Sequence, residues 1–214
     1  KEAVLKAADI YKSKGAENVN IDLPELKFAL PVYYIIACAE ASSNLGRYDG
    51  IRFGYKTEHY NGTHDMVCRT RSEGFGEEVK RRILLGTYVL SAGYYDAYYK
   101  KAQNLRGTIV KAFNNAFEKC DVILAPTVPM TAFEKGHAVR DPIETYLTDI
   151  CTVPVNIAGL PGLSVPCGFN AKGMPIGMQL IGKSFGEAEI LNAAYKYQQA
   201  AAENFKDTKW GVKL

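Results

Sequence analysis

The sequence predicts an α/β fold in which a mixed β-sheet is flanked by helices. Long segments repeat apolar residues at helical spacing, and short apolar runs bounded by turn residues are typical of buried strands. The two kinds of segment alternate along the chain, and this alternation favours a layered domain. With 214 residues, 47% of them hydrophobic, the chain is long enough to bury a sizeable core. We find no repeat or linker, and we therefore expect one domain over residues 1–214.

Helical periodicity predicts five long helices and one short helix. The long helices cover residues 1–14, 24–45, 76–92, 94–120 and 186–204. Pro31 is expected to bend the second of them, because proline removes a backbone donor. The short helix covers residues 141–149, where Pro142 suits the first helical position.

Strands are predicted where apolar residues alternate or form short runs. Residues 17–23 alternate, residues 121–126 form an apolar run, and "GLSVPCGFN" and "PIGMQLIGKS" are joined by "AKGM" in a hairpin-like turn.

Composition excludes several classes of protein. Lys and Arg number 26 against 23 Asp and Glu, and they are interleaved, so no basic stripe indicates nucleic acid as the main ligand. The five cysteines are odd in number and have no CxxC spacing, which indicates reduced thiols in a cytoplasmic protein. No apolar run is long enough to span a bilayer. The chain begins at Lys1, already in helical pattern and without Met, and we interpret it as the C-terminal piece of a longer protein.

A search for a nucleophile or a metal site finds little. No G-x-S-x-G elbow is present, and Cys167 has no histidine near it in sequence, so a buried structural thiol is the favoured interpretation. His59, His64 and Asp65 have a spacing that matches no standard metal site.

Charged residues within an apolar helix carry more information. In "VKRRILLGTYVL", the adjacent residues Lys80, Arg81 and Arg82 cannot share one helix face, so one arginine is expected to lean toward the core. A guanidinium held there needs a carboxylate from the protein or from a ligand, because an unpaired buried charge is costly. A structural ion pair or a solvated arginine explains the same pattern.

Asp149 raises the same question for a negative charge. It ends the predicted short helix, where the helix dipole disfavours a carboxylate, and it precedes a long apolar run. It therefore needs a compensating donor, either a backbone turn or a cationic ligand. Tyr33 and Tyr34 follow Pro31, and the pattern alone places both in the core.

Four segments together resemble the amidase signature family. They are "LPVYYIIACAEASSNLGRYDGIRFGYK", "EGFGEEVKRRILLGTYVLSAGYYDAYYKKAQ", "TDICTVPVNIAGLPGLSVPCG" and "GLPGLSVPCGFNAKGMPIGMQLIGKSFGEAEIL". The resemblance covers the chain from about Leu23 to the closing helix. It implies a mixed β-sheet flanked by helices and identifies residues 1–214 as the C-terminal portion of a single amidase domain, without its N-terminal catalytic half.

Within this family, the segments resemble members that hydrolyse glutamine for tRNA-dependent amidation. There a Ser–cis-Ser–Lys triad releases ammonia, which a partner B subunit uses with ATP and Mg²⁺ to convert glutamyl-tRNA(Gln) to glutaminyl-tRNA(Gln), with a C subunit completing the complex. The resemblance implies no cofactor in this chain and no membrane. The triad belongs to the family's N-terminal half, and these residues contain no Gly-Gly-Ser-Ser run, so no catalytic residue is assigned.

Substrate recognition is the role that the resemblance does imply here. Free glutamine carries an α-carboxylate and an α-ammonium, and a pocket for it needs one cation and one anion. Matched to the family, these residues are Arg82 and Asp149, with Tyr33 beside them. Two alternatives stay open: a stand-alone amidase that acts on other amides, and a non-catalytic module that docks onto other subunits.

Overall fold

Residues 1–136 and 147–205 are described by the computed structural model. The chain packs into two compact units: unit 1 comprises Lys1–Leu30 and Gly107–Leu214, and unit 2 comprises Pro31–Arg106. Helices form most of both units, and the three described strands belong to unit 1. The predicted α/β class is thereby confirmed. Whether the whole chain behaves as one domain stays a prediction.

The helices and strands follow one another in this order. The α-helices are α1 (Glu2–Ser13), α2 (Ala29–Asn44), α3 (Gly62–Gly74), α4 (Glu77–Val89), α5 (Lys101–Ala116), α6 (Val153–Ala158) and α7 (Glu187–Ala201). The strands are β1 (Ile123–Pro126), β2 (Gly162–Phe169) and β3 (Pro175–Ile181). Shorter turns of 3₁₀-helix cover Pro24–Phe28, Leu45–Arg47, Asp149–Cys151 and Ala202–Phe205, and a π-helical turn, Tyr95–Lys100, precedes α5.

The strands form a three-stranded sheet in the order β1-β3-β2. Both strand pairs are antiparallel, so within the described residues the sheet contains no parallel pair. The predicted hairpin of β2 and β3 is confirmed. Its turn is closed by Asn170, whose Oδ1 accepts from the backbone N–H groups of Lys172 and Met174, each at 2.9 Å. Gly173 supplies the positive φ of +75° that this turn requires.

One face of the sheet is covered by α1 and α7. Between these helices and the sheet lies a hydrophobic core cluster of buried residues: Val4, Ala7, Cys167, Met178, Tyr197 and Ala201. Tyr11 of α1 donates to the carbonyl of Ala193 in α7 at 2.9 Å. Burial raises the pKa of the Tyr11 phenol to about 12, so the hydroxyl stays neutral and remains a donor. These contacts hold the two helices side by side on the sheet.

Unit 2 is organised by a close approach of α4 to α2. A Cβ built on Gly86 lies 1.9 Å from the carbonyl oxygen of Cys38 and 2.6 Å from Cβ of Ser42, so only glycine fits there. The Ser42 hydroxyl also lies 2.9 Å from the Thr87 hydroxyl, in a hydrogen bond that links the two helices. This contact determines which side chains of α2 and α4 meet in the preceding turns.

Some sequence predictions were wrong or incomplete. The strand predicted over residues 17–23 is absent: the segment is irregular, Val19 is 46% exposed, and no described strand pairs with it. Alternation alone does not provide a neighbouring strand, which a β-strand needs to satisfy its backbone groups. Pro31 lies in the first turn of α2, where its missing N–H breaks no intrahelical bond. The helix predicted over residues 141–149 lies largely outside the described residues.

The helix α6 was not predicted. It begins after Thr152, carries Pro154 in its first turn and ends at Gly159, whose φ of +70° permits the left-handed C-cap.

Among the described residues, no helix is both long and apolar enough to cross a membrane.

The contact at Gly86 gives a stability prediction. We expect Gly86→Ala to lower the free energy of unfolding by about 1–3 kcal/mol, because the new methyl group overlaps the backbone of α2. The matched control is Gly107→Ala in α5, where a methyl group would meet no atom within 4 Å and helix propensity favours alanine by up to about 1 kcal/mol. Urea denaturation of both variants measures the difference. Equal stability of the two variants would contradict the close approach.

Candidate functional site

Tyr33 lies near the start of α2, where the chain enters unit 2. Val32, Cys38 and Ala39 are buried on this helix, and Tyr33 is partly buried beside them. Its ring meets the ring of Tyr34 edge to face, with 5.0 Å between the centroids. Burial and ring contact hold both tyrosines, so the Tyr33 hydroxyl has a defined position.

Arg82 lies on α4, one turn before the close contact at Gly86. Glu77 and Glu78 stand in the first turn of this helix, where the N-terminal end of the helix dipole favours acidic residues. The side chain of Arg82 is 29% exposed, whereas that of Arg81 is 47% exposed. Arg82 is therefore the arginine that leans toward the interior, as the sequence required of one residue in this run.

The guanidinium of Arg82 meets three side chains of unit 2. Nε donates to Oε1 of Glu78 at 2.9 Å, and Nη1 donates to the hydroxyl of Tyr33 at 3.4 Å. Its Cζ lies 5.8 Å from the ring centroid of Tyr34, within the range of a cation–π contact. Among the described residues, these contacts fix the orientation of the cation and leave several of its N–H donors without a protein partner.

The Arg82 guanidinium stays charged at any physiological pH. The hydrogen bond with Tyr33 raises the pKa of Arg82, partial burial lowers it, and the bond to Glu78 raises it again, for a net upward change. An anion that enters this site therefore meets a permanent cation.

Asp149 lies in unit 1, at the first residue of the 3₁₀ turn Asp149–Cys151. Its backbone carbonyl accepts from the N–H of Thr152 at 3.0 Å and from the Thr152 hydroxyl at 3.2 Å. Its carboxylate is partly buried and accepts from the Thr148 hydroxyl at 3.5 Å. Within unit 1 as described, no lysine or arginine lies at ion-pair distance from this carboxylate. The Asp149 backbone therefore forms a turn, and the binding of a cation by its carboxylate stays a prediction.

Gln179 of β3 holds the turn that carries Asp149. Its side chain is 5% exposed, and Nε2 donates to the carbonyls of Cys151, at 2.7 Å, and Pro126, at 3.1 Å. Since successive residues of a strand point to opposite faces, Gln179 lies on the face opposite the core residue Met178. The turn is therefore fastened to the sheet by a buried amide.

The structure brings two of the three predicted residues together. Tyr33 and Arg82 are in contact, and the choice of Arg82 over Arg81 agrees with that contact. Asp149 belongs to unit 1, and its convergence with the other two stays a prediction. The sequence interpretation missed Glu78 and Gln179 as supporting residues. The spacing of four residues between Glu78 and Arg82 was a usable signal, because such pairs lie on one helix face.

The Cys167 thiol and the Ser42 hydroxyl are held in structural roles. Cys167 is 8% exposed in β2, and burial raises the pKa of its thiol, which disfavours the reactive thiolate. Ser42 is engaged with Thr87 between two helices. Among the described residues, no group of three or more histidine, cysteine or acidic side chains is arranged to hold a metal ion.

Sequence comparison finds relatives whose matches cover most of this chain. A model of the Amidase family matches residues 1–191. The glutamyl-tRNA(Gln) amidotransferase A subunit of Lachnospira eligens is 58% identical over 200 residues, which cover 94% of this chain and 42% of that protein. Its counterpart in Caldanaerobacter subterraneus, with the same name, is 57% identical over 200 residues, 94% of this chain and 41% of that protein. The chain thus spans about two fifths of the length of these relatives.

Solved structures show the same fold. The glutamyl-tRNA(Gln) amidotransferase A subunit of Thermotoga maritima superposes with a TM-score of 0.66 and 36% identity, over 99% of this chain and 39% of that one. Allophanate hydrolase of Kluyveromyces lactis has a TM-score of 0.67 at 23% identity, over 94% of this chain and 29% of that one, and this likeness concerns the fold alone.

The buried amide of Gln179 gives a second stability prediction. We expect Gln179→Leu to lower the free energy of unfolding by about 1–3 kcal/mol, because two hydrogen bonds to carbonyls are lost. Gln198→Leu on the exposed face of α7 is the matched control, and we expect it to be nearly neutral. Thermal denaturation compares them. A Gln179→Leu protein as stable as the control would show that the amide does not fasten the turn.

Proposed function

Because the chain belongs to the amidase family, as the match over residues 1–191 shows, we propose that it acts in a glutaminase whose ammonia converts glutamyl-tRNA(Gln) to glutaminyl-tRNA(Gln). The names of its relatives, the A subunits of glutamyl-tRNA(Gln) amidotransferases, support this substrate. The single structural observation that carries the proposal is the fixed guanidinium of Arg82 next to the Tyr33 hydroxyl.

Recognition of glutamine follows from the charges of the free amino acid. The α-carboxylate binds Arg82, whose planar guanidinium suits two parallel hydrogen bonds to one carboxylate. The Tyr33 hydroxyl lies beside the Arg82 guanidinium and offers the α-carboxylate a further, neutral donor. The α-ammonium binds Asp149, whose carboxylate has no cation within ion-pair distance in unit 1 as described. Each charged end of glutamine thus has one proposed partner in this chain.

Hydrolysis itself is not assigned to these residues. Their sequence contains no Gly-Gly-Ser-Ser run, and Cys167 and Ser42 have structural roles. In this proposal residues 1–214 form the C-terminal portion of one amidase domain and supply recognition. The stretch of the relatives that this chain does not match supplies the nucleophile.

The proposed assembly is a cytoplasmic complex of three kinds of subunit. The relatives are named as subunits, which supports a multi-subunit enzyme. We assign the amidation step to a B subunit that uses ATP and Mg²⁺, with a C subunit completing the complex. Glutamyl-tRNA(Gln) then contacts this chain through the complex, and the chain needs no cofactor of its own.

The glutamine clamp is tested on the complete amidase that contains this sequence. We expect Arg82→Ala to raise the Kd for glutamine by at least about tenfold, because a charge-assisted hydrogen bond contributes about 1.5–3 kcal/mol. Isothermal titration measures this. The matched control is Arg69→Ala in α3, since Arg69 pairs with Asp65 four residues earlier, as Arg82 does with Glu78. A Kd for Arg82→Ala within about threefold of the control would contradict glutamine binding by Arg82 and would favour an amidase with another substrate.

The proposal that the nucleophile lies outside these residues is tested on residues 1–214 alone. We expect residues 1–214 to release no ammonia from glutamine, because the proposed nucleophile lies outside them. A coupled ammonia assay measures release over background. Turnover that disappears when one of the serines of this chain is replaced by alanine would overturn the assignment.

A further inference from the structure

The geometry points to Glu78 as a positioning residue: it holds the Nε edge of Arg82 so that the Nη groups face the substrate carboxylate. This inference rests on the proposed function, since it concerns the same pocket. Glu78 precedes Arg82 by one helical turn, and its Oε1 accepts from Arg82 Nε at 2.9 Å. The spacing places both side chains on one face of α4.

The hydrogen bonds of the guanidinium show which donors are left for a ligand. A guanidinium has five N–H donors in a fixed plane. In the described structure, Glu78 takes the Nε donor and Tyr33 takes one Nη1 donor, so the three others are on the Nη groups. Because Nε is occupied, the carboxylate of a ligand is directed to the Nη side, next to the Tyr33 hydroxyl. Glu78 thus determines which edge of Arg82 binds substrate.

The same carboxylate sets the local charge. Oε2 of Glu78 pairs with Nη1 of Arg81, so Glu78 contacts both neighbouring arginines at once. The three side chains together carry a net charge of +1, which matches one carboxylate. Without Glu78 the two adjacent guanidinium groups would carry +2 and would attract a second anion or an inorganic anion from solution. Glu78 therefore lowers the positive charge beside the proposed carboxylate.

This role differs from that of an ordinary surface ion pair. The Glu78 side chain is 44% exposed, and an ion pair of this exposure contributes little to folding stability. The ring of Tyr34 on the guanidinium limits its motion further. Loss of Glu78 is therefore expected to change substrate affinity strongly and the melting temperature little, a combination that a merely structural role does not produce.

The test uses the complete enzyme, assembled with its partner subunits. In glutaminase assays we expect Glu78→Ala to raise the KM for glutamine about tenfold, with kcat within about twofold and Tm within about 2 °C of the wild type. Glu78→Gln is expected to recover part of the loss, because its amide oxygen still accepts from Nε while the charge is absent. The matched control is Glu77→Ala, the neighbouring acid of the same first turn, whose carboxylate pairs with neither arginine in the described structure.

The outcomes separate this inference from the function on which it rests. If Glu78→Ala and Glu77→Ala have the same KM while Arg82→Ala loses glutamine binding, the positioning role is wrong and the clamp stands. If Arg82→Ala also binds glutamine normally, the proposed function fails with it. A fall in kcat at unchanged KM would likewise overturn positioning, because the carboxylate end is remote from the reacting amide.

Discussion

The position of the Arg82 side chain depends on the contact between Gly86 and the backbone of α2. With no side chain at Gly86, α4 lies against the carbonyl of Cys38, and the Ser42–Thr87 hydrogen bond sets the rotation of one helix against the other. One turn earlier, this packing brings Arg82 of α4 to the tyrosines of α2. A methyl group at Gly86 would therefore displace Arg82, four positions earlier, from the tyrosines of α2.

In unit 1, a buried side chain holds the turn that carries the negatively charged Asp149. A sheet residue, Gln179, reaches across to the carbonyl of Cys151 and holds the turn that begins at Asp149. The buried amide forms two hydrogen bonds, and satisfied buried polar groups of this kind favour a unique local arrangement. The two charged groups of the proposed clamp are thus each supported by packed structure and not by a mobile loop.

Arginine suits the first of these positions for reasons that lysine does not share. Its charge is permanent, and its flat fork allows one edge to be held by the protein while another binds a ligand. Glu78 and the ring of Tyr34 use this property, because both restrict the guanidinium without covering all of its donors. A compact ammonium group held by Glu78 would have lost the directional edge on which recognition of an α-carboxylate depends.

Local pattern was sufficient for the helices of strong periodicity, for the hairpin of β2 and β3, and for the motifs that resemble the amidase signature family. It failed at residues 17–23, where alternation had no partner strand, and it missed α6, whose six residues are too few for a periodic signal. Periodicity also left Arg81 and Arg82 undecided, as it did the two adjacent tyrosines. The family resemblance chose Arg82 and Tyr33, and the packing of α4 on α2 agrees with that choice. Periodicity could not make it, because a helix pattern defines an apolar face but not the neighbour against which that face will be turned.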